Sequence, residues 1–314
     1  MKLKLALSNC NKIKNSVASI LHIRKQCVLR FTSRHFIVIS SVVNEPQIWL
    51  KFSCLLFDEY EIESANNNQI SMECNLEQLC QVLRNFDKVN SSDLTIRLQR
   101  VNPSSSSSAN STLNGDNKAN NGLAANINNK KFKNHAILAV FYSESQQNII
   151  IHHTFKIPVR LLKKKSDLKI VEPEINKINL LLKLPGDFIN IFKRIERFKS
   201  SKYKFLKINA DEKGNLNLIL KSDTLIVKLG WNSNLLVQKN GENYKDSSNI
   251  FNPNENNDVS VVLRLNDFKS ASKICQICNN TAIIMSEPNV IILHLFIDES
   301  DDAEFIFYIN GVIE

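Results

Sequence analysis

Glycine is scarce in this sequence. The 314 residues contain seven, and no Gly-rich phosphate loop can be drawn from them. Long hydrophobic runs are missing as well: the longest apolar stretches, such as AILAVFYS and NVIILHLFI, have the length of a strand rather than of a membrane span. The opening MKLKLALSNCNK lacks the apolar core of a signal peptide. A soluble protein of the cytoplasm or nucleus is therefore expected, with RLLKKK as a weak import run. The cysteines, Cys10, Cys27, Cys54, Cys74, Cys80, Cys275 and Cys278, are an odd set scattered through apolar segments. That pattern speaks against a disulfide framework and for reduced, buried thiols.

Catalytic and metal signals are thin too. The CQIC run at Cys275 and Cys278 offers two sulfurs, whereas a structural zinc site takes four ligands, and no second Cys or His pair has the matching spacing. Both sulfurs fall on the apolar face of a helical segment, so core packing is expected. His152 and His153 are neighbours on a strand and point to opposite faces. Asp58, Glu59 and Glu61, and the acidic run 298–302, read as exposed turns. No nucleophile has a base beside it. Neither catalysis nor a cofactor nor a metal is expected.

Positive charge and short β-rich segments are present in quantity. Forty Lys and Arg stand against 31 Asp and Glu, a net charge of +9 that favours polyanionic partners. Apolar strand-length segments recur: KLKLAL, CVLRFT, HFIVISSV, QIWLKF, QISMEC, DLTIRLQR, AILAVFYS and NIIIHHTFKI in the first half. INLLLKL, YKFLKINA, LNLILKS, TLIVKLGW, VSVVLRL, TAIIMS, NVIILHLFI and EFIFYIN follow in the second. Two helical patterns interrupt each set, so each half runs strand, helix, several strands, helix, three strands. The reading is an α+β protein of two similar domains, 1–157 and 174–314, joined by a Pro-bounded connector at 158–173 that hugs the surface through Leu161, Leu162 and Leu168. Residues 102–131 are dominated by Asn and Ser, cannot offset their ordering entropy by burial, and are expected to be a mobile loop inserted in the first domain. The polar stretch QKNGENYKDSSNIFNPNENND reads as a second exposed loop.

The helical patterns share an asymmetry. In GDFINIFKRIERFKSSK, residues 186–202, Phe188, Ile191, Phe192, Ile195 and Phe198 form one face, while Lys193, Arg197 and Asn190 lie opposite with Arg194 beside them. From Asp187 to Lys207 there are seven basic residues and two acidic ones. In NLEQLCQVLRNFDK, the face away from Leu79 and Leu83 carries Gln78, Gln81, Arg84, Asn85 and Lys88. In NDFKSASKICQICN, Phe268, Ala271, Cys275 and Cys278 face inward, and Lys269, Lys273 and Gln276 face out. The weakest case is NKIKNSVASILHIR, in which Ile13, Val17, Ile20 and Leu21 form the apolar face. Asn11, Asn15, Ser19 and His22 lie opposite, with Lys12 and Lys14 on the flanks. A solvated helix usually interleaves opposite charges at this spacing, because like charges one turn apart repel. Unpaired cations one turn apart point to an external anion such as a phosphate backbone, bound without base readout. A solvated outer face remains the plain alternative.

The order of elements, the cation-bearing helices and the connector resemble the sliding-clamp fold of proliferating cell nuclear antigen. The runs KLKL, VLRFTSRHFIVIS, IWLKF, ISMECNLEQL, LTIRLQ, HTFKIPVRLL and KIVEPEIN are similar to the Hus/Mec-type subunit of the heterotrimeric DNA-damage checkpoint clamp, often called 9-1-1. The resemblance implies one third of a ring in a nucleus, with sheets outside and two helices per domain inside. It implies two different clamp subunits and sequence-independent duplex DNA as partners, and an ATP-dependent loader. No membrane partner is implied. Lys12, Lys14, Arg84, Lys88, Lys193, Arg194, Arg197, Lys269 and Lys273 would then face DNA. The last strand of the first half (Ile149, Ile150, Ile151, His153) and an edge strand of the second (Leu225, Ile226, Val227, Leu229) would join neighbouring subunits. A homotrimeric replication processivity clamp and a basic β-rich module for acidic membrane or protein surfaces are the alternatives.

Overall fold

The computed structural model describes residues 1–87, 93–100, 135–146, 149–163, 170–175, 177–232, 235–238, 258–300 and 302–312. The Asn/Ser segment 102–131, Lys88, Leu168 and nearly all of the second polar stretch lie outside the described residues.

The first half folds as β1 (Lys2–Leu7), α1 (Asn11–Leu21), β2 (Gln26–Phe31), β3 (His35–Ser40), β4 (Gln47–Ser53), β5 (Glu59–Glu63), β6 (Ile70–Asn75), α2 (Leu76–Asp87), β7 (Leu94–Arg100), β8 (His135–Gln146) and β9 (Ile149–Leu161). The second folds as β10 (Lys177–Leu184), α3 (Ile189–Glu196), β11 (Phe205–Ala210), β12 (Leu216–Lys221), β13 (Ile226–Trp231), β14 (Leu236–Gln238), β15 (Val259–Arg264), α4 (Leu265–Cys275), β16 (Asn280–Glu287), β17 (Val290–Phe296) and β18 (Ala303–Asn310). The order strand, helix, five strands, helix, three strands thus occurs twice. Two strands missing from the sequence reading complete it. β14 is only three residues long. β5 is Glu-Tyr-Glu-Ile-Glu, and its acids, expected in a turn, form an edge strand against β1, where Lys2 meets Glu61 at 2.9 Å and Lys4 pairs with Glu59. A charged edge of this kind discourages unwanted strand addition.

Pairing repeats as well. β1–β5, β1–β7, β7–β8, β8–β9 and β2–β6 in the first half recur as β10–β14, β10–β16, β16–β17, β17–β18 and β11–β15 in the second, all antiparallel. Even a single hydrogen bond is kept: Leu162 N–H donates to the Ser71 carbonyl at 2.9 Å, and Val312 N–H donates to the Val262 carbonyl at 2.7 Å.

By contacts the chain forms two compact units, one of residues 1–14, 26–36 and 54–170, the other of residues 15–25, 37–53 and 171–314. In the first, the strands run β2-β6-β9-β8-β7-β1-β5, and α2 buries Leu76, Leu79, Cys80, Val82, Leu83 and Phe86. Asn75 caps that helix through its side-chain oxygen, 2.9 Å from the Glu77 amide. In the second, β14-β10-β16-β17-β18-β4 form one sheet and β13-β12-β11-β15 another. Its core is aromatic: Phe192 meets Phe188 edge-on at 5.1 Å and Phe268 nearly parallel at 5.1 Å, and Phe188 stacks on Trp231 at 4.9 Å.

Candidate nucleic-acid interface

The expected helix over 186–202 is shorter in the structure. A 3-10 turn at Gly186–Phe188 leads into α3, which ends at Glu196. The chain then folds through turns so that Tyr203 is buried and Phe198 packs edge-on against it at 5.3 Å. Burial of Tyr203 against the half-buried Phe198 ring outweighs two further turns of a Ser- and Lys-rich helix. Lys193, Arg194 and Arg197 are exposed, and among the described residues none has an ion-pair partner. Lys199, Lys202, Lys204 and Lys207 are exposed beside them. Of the two acids near this cluster, Asp187 is exposed, while Glu196 accepts a hydrogen bond from the buried Ser272 hydroxyl of α4.

α4 separates its two expected cations. Lys273 is exposed, as are Gln276 beyond the helix and Asn266 at its start. Lys269 is half-buried, and its Nζ donates to the Phe198 carbonyl at 2.8 Å. There the lysine satisfies a carbonyl left over at the end of α3, a structural role favoured by the helix dipole. α4 stops at Cys275, so Cys278 does not lie on the helix face. Its thiol donates to the Ile274 carbonyl at 3.4 Å, and burial pushes its pKa up to about 12. Cys275 is fully buried and its thiol is likewise raised by desolvation. Among the described residues no group of three or more His, Cys, Asp or Glu is placed to hold a metal ion.

On α2, Gln78, Gln81 and Arg84 are exposed as the wheel requires, and Arg84 has no ion-pair partner among the described residues. α1 departs further from expectation. Ser19, placed opposite the apolar face by the wheel, is buried and donates to the Ser16 carbonyl at 2.7 Å, whereas Leu21 is half-exposed. Lys12 is half-buried. Lys14 retains only 15% of its side-chain exposure, is ion-paired to Asp87, and reaches the Asn11 side chain at 2.7 Å. Its charge is therefore spent inside the protein.

Both expected joining strands are sheet edges. β9 pairs with β8 along its whole length, but β6 covers its other side only from Val159 to Leu161. Ile149 and Ile150 are 65% exposed and Ile151 is exposed as well, while His153 stacks on Tyr142 at 4.6 Å and approaches Glu144 at 3.3 Å. β13 is the terminal strand of the four-stranded sheet. Leu225 and Ile226 are exposed, and Val227 and Leu229 half-exposed. The repeat shows how such edges are used: β18, the counterpart of β9, pairs antiparallel with β4, the counterpart of β13, from Ala303↔Phe52 to Tyr308↔Gln47. Glu172 reaches that ladder: it accepts from the Tyr308 hydroxyl at 2.8 Å and lies 2.9 Å from Lys51 Nζ.

Residues 1–313 match the family model described as Hus1-like protein. The chain belongs to the Hus1-like family. Relatives include the DNA damage checkpoint control protein MEC3 of Eremothecium gossypii, 28% identical over 255 residues covering 70% of this chain. The protein of the same description from Saccharomyces cerevisiae is 27% identical over 298 residues covering 74% of it. The chain spans 62% and 61% of the length of these two relatives. A checkpoint protein hus1 homolog of Dictyostelium discoideum is 28% identical over 104 residues, 32% of this chain and 38% of that one. Among solved structures, proliferating cellular nuclear antigen from Entamoeba histolytica superposes with a TM-score of 0.64 at 14% identity, covering 99% of both chains. This Hus1-like chain therefore has the clamp fold, mostly strands with few helices. No described helix is long and apolar enough to cross a membrane.

Proposed function

We propose that this chain is a non-enzymatic subunit of a heterotrimeric ring clamp that encircles duplex DNA and supports DNA-damage checkpoint signalling and repair. The halves 1–157 and 174–314 would be its two clamp domains, and their connector, expected over 158–173, would begin only after β9 ends at Leu161. The observation that carries the reading is the β18–β4 ladder. The repeat makes β9 and β13 the counterparts of those two strands and leaves both as open edges, so one chain's β9 can continue a neighbour's β13 as β18 continues β4. Such a joint is head-to-tail, and head-to-tail joints close into rings when the rotation allows. The names of the relatives support a checkpoint role, and Arg84, Lys193, Arg194, Arg197 and Lys273, exposed and without ion-pair partners among the described residues, suit a phosphate backbone read without regard to sequence. An ATP-dependent loader would place the ring on DNA, in the nucleus.

The test is sedimentation of the purified chain alone and mixed with the two other subunits of a checkpoint clamp. A defined one-to-one-to-one assembly is expected. A stable homotrimer from the single chain would favour a replication processivity clamp instead, and a monomer that ignores both subunits but binds anionic vesicles would favour the basic β-rich module.

A further inference from the structure

The four-stranded sheet of the second unit carries a surface pattern that a DNA-facing role for the helices does not use. On β11, β12 and β15 alternate residues are buried, among them Leu206, Ile208, Leu218, Leu220, Val261 and Leu263. The residues between them point the other way. On that outward face Lys207, Lys221, Lys228 and Arg264 are exposed, one from each strand. The register places Arg264 opposite Phe205, Lys207 between Val262 and Ile219, Lys228 opposite Ile219, and Lys221 opposite Ile226. Cations and apolar side chains therefore alternate like the squares of a board, and successive cations sit on diagonals of about 7–8 Å.

None of the outward residues of these four strands is acidic. Asp211 and Asp223 lie in the turns that follow β11 and β12, and Asp211 is occupied by its own turn, accepting from the Lys213 and Asn215 amides at 2.9 and 3.0 Å. A solvated sheet face ordinarily sets opposite charges across from each other. Here Lys207, Lys221 and Lys228 have no ion-pair partner among the described residues, Arg264 donates to the Asn44 carbonyl at 3.3 Å, and Phe205 and Ile226 remain 46% and 63% exposed. The face thus offers charge of one sign together with apolar area, and its complement must offer acid together with apolar side chains. Single-stranded nucleic acid satisfies the first half of that requirement only, because its bases need several aromatic platforms and the board has one, Phe205, among aliphatic squares.

We propose that this sheet face docks an extended acidic segment of a partner protein, its carboxylates lying on Lys207, Lys221, Lys228 and Arg264 and its apolar side chains between them on Phe205, Ile219, Ile226 and Val262. The experiment titrates the full chain into a fluorescein-labelled peptide in which glutamate alternates with leucine and phenylalanine, and follows anisotropy. The same peptide with glutamine for glutamate and a labelled oligothymidylate serve as the other arms. Binding of the acidic peptide is expected, with none of the glutamine form. Lys207→Glu with Lys228→Glu should weaken it by about tenfold or more, a loss of about 1.4 kcal/mol. Lys207→Arg with Lys228→Arg should restore it, which separates docking from misfolding, and Phe205→Ala should weaken it without changing its salt dependence. Absence of acidic-peptide binding, or binding unchanged in the Glu variant, would overturn the proposal. Oligothymidylate bound more tightly than the peptide, and lost in the Glu variant, would overturn it in favour of nucleic acid.

Discussion

Replacing cations one helix at a time should separate two roles that the sequence pattern alone treats as one. Lys193 and Arg197 are exposed and without ion-pair partners among the described residues, so Lys193→Ala with Arg197→Ala should change folding stability by no more than about 0.5 kcal/mol. If both side chains neutralise phosphates, each contributes about 0.9 to the slope of log affinity against log salt, and the pair should remove at most about 1.8. Lys14→Ala should do the reverse. Its ammonium is mostly shielded and paired with Asp87, which is itself only 34% exposed, so removing it strands a carboxylate and should cost about 1–2 kcal/mol while leaving the slope unchanged. The assay is duplex binding by the assembled ring across a salt series, alongside urea melts of the chain. A slope reduced by Lys14→Ala but not by the double variant would refute the division between outward and internally used cations.

Phe192→Ala should destabilise the second unit by about 3–5 kcal/mol, because the ring is almost fully buried between Phe188 and Phe268; urea denaturation measures it, and a loss below about 1 kcal/mol would mean that the aromatic stack is not the core. Cys74 and Cys278, raised by burial to about 12, and Cys10 and Cys80, raised to about 11, should resist alkylation at mildly alkaline pH until the chain unfolds. Mass spectrometry after iodoacetamide treatment reads this directly, and rapid labelling of Cys74 in the folded protein would contradict its burial.

Most of the element order was legible because the strands are short, apolar and separated by polar turns, and because α2 keeps its apolar and polar faces apart. The sequence was least informative where tertiary partners decide. Glu-Tyr-Glu-Ile-Glu looks like an exposed turn until Lys2 and Lys4 are seen across the ladder. α3 stops early because Tyr203 buries against the half-exposed Phe198 ring, a contact that no helical wheel contains. Lys14, Lys193 and Lys269 all fall outside the apolar face on a wheel, Lys14 on its flank and the other two opposite it. Only the position of Asp87 and of the Phe198 carbonyl shows that two of the three are used internally. Open edges at β9 and β13 were placed through the family resemblance; the repeat of pairing that relates them to β18 and β4 needs the registers, which composition does not carry.

The β18–β4 ladder also sets how dilution would act on an assembled ring. Its two strands belong to one chain, so each sees the other at an effective concentration fixed by the intervening polypeptide, about millimolar or higher and independent of how much protein is present. A β9–β13 joint between separate chains has no such tether. Across the proposed ring, every ladder of the first kind would persist at any protein level, and only joints of the second kind would part as concentration falls. Opening to admit DNA would therefore occur at chain boundaries, at the joint with the fastest dissociation. If the three subunits of the proposed ring are unlike, the joints would differ in side chains, and the doorway would be built into one of them.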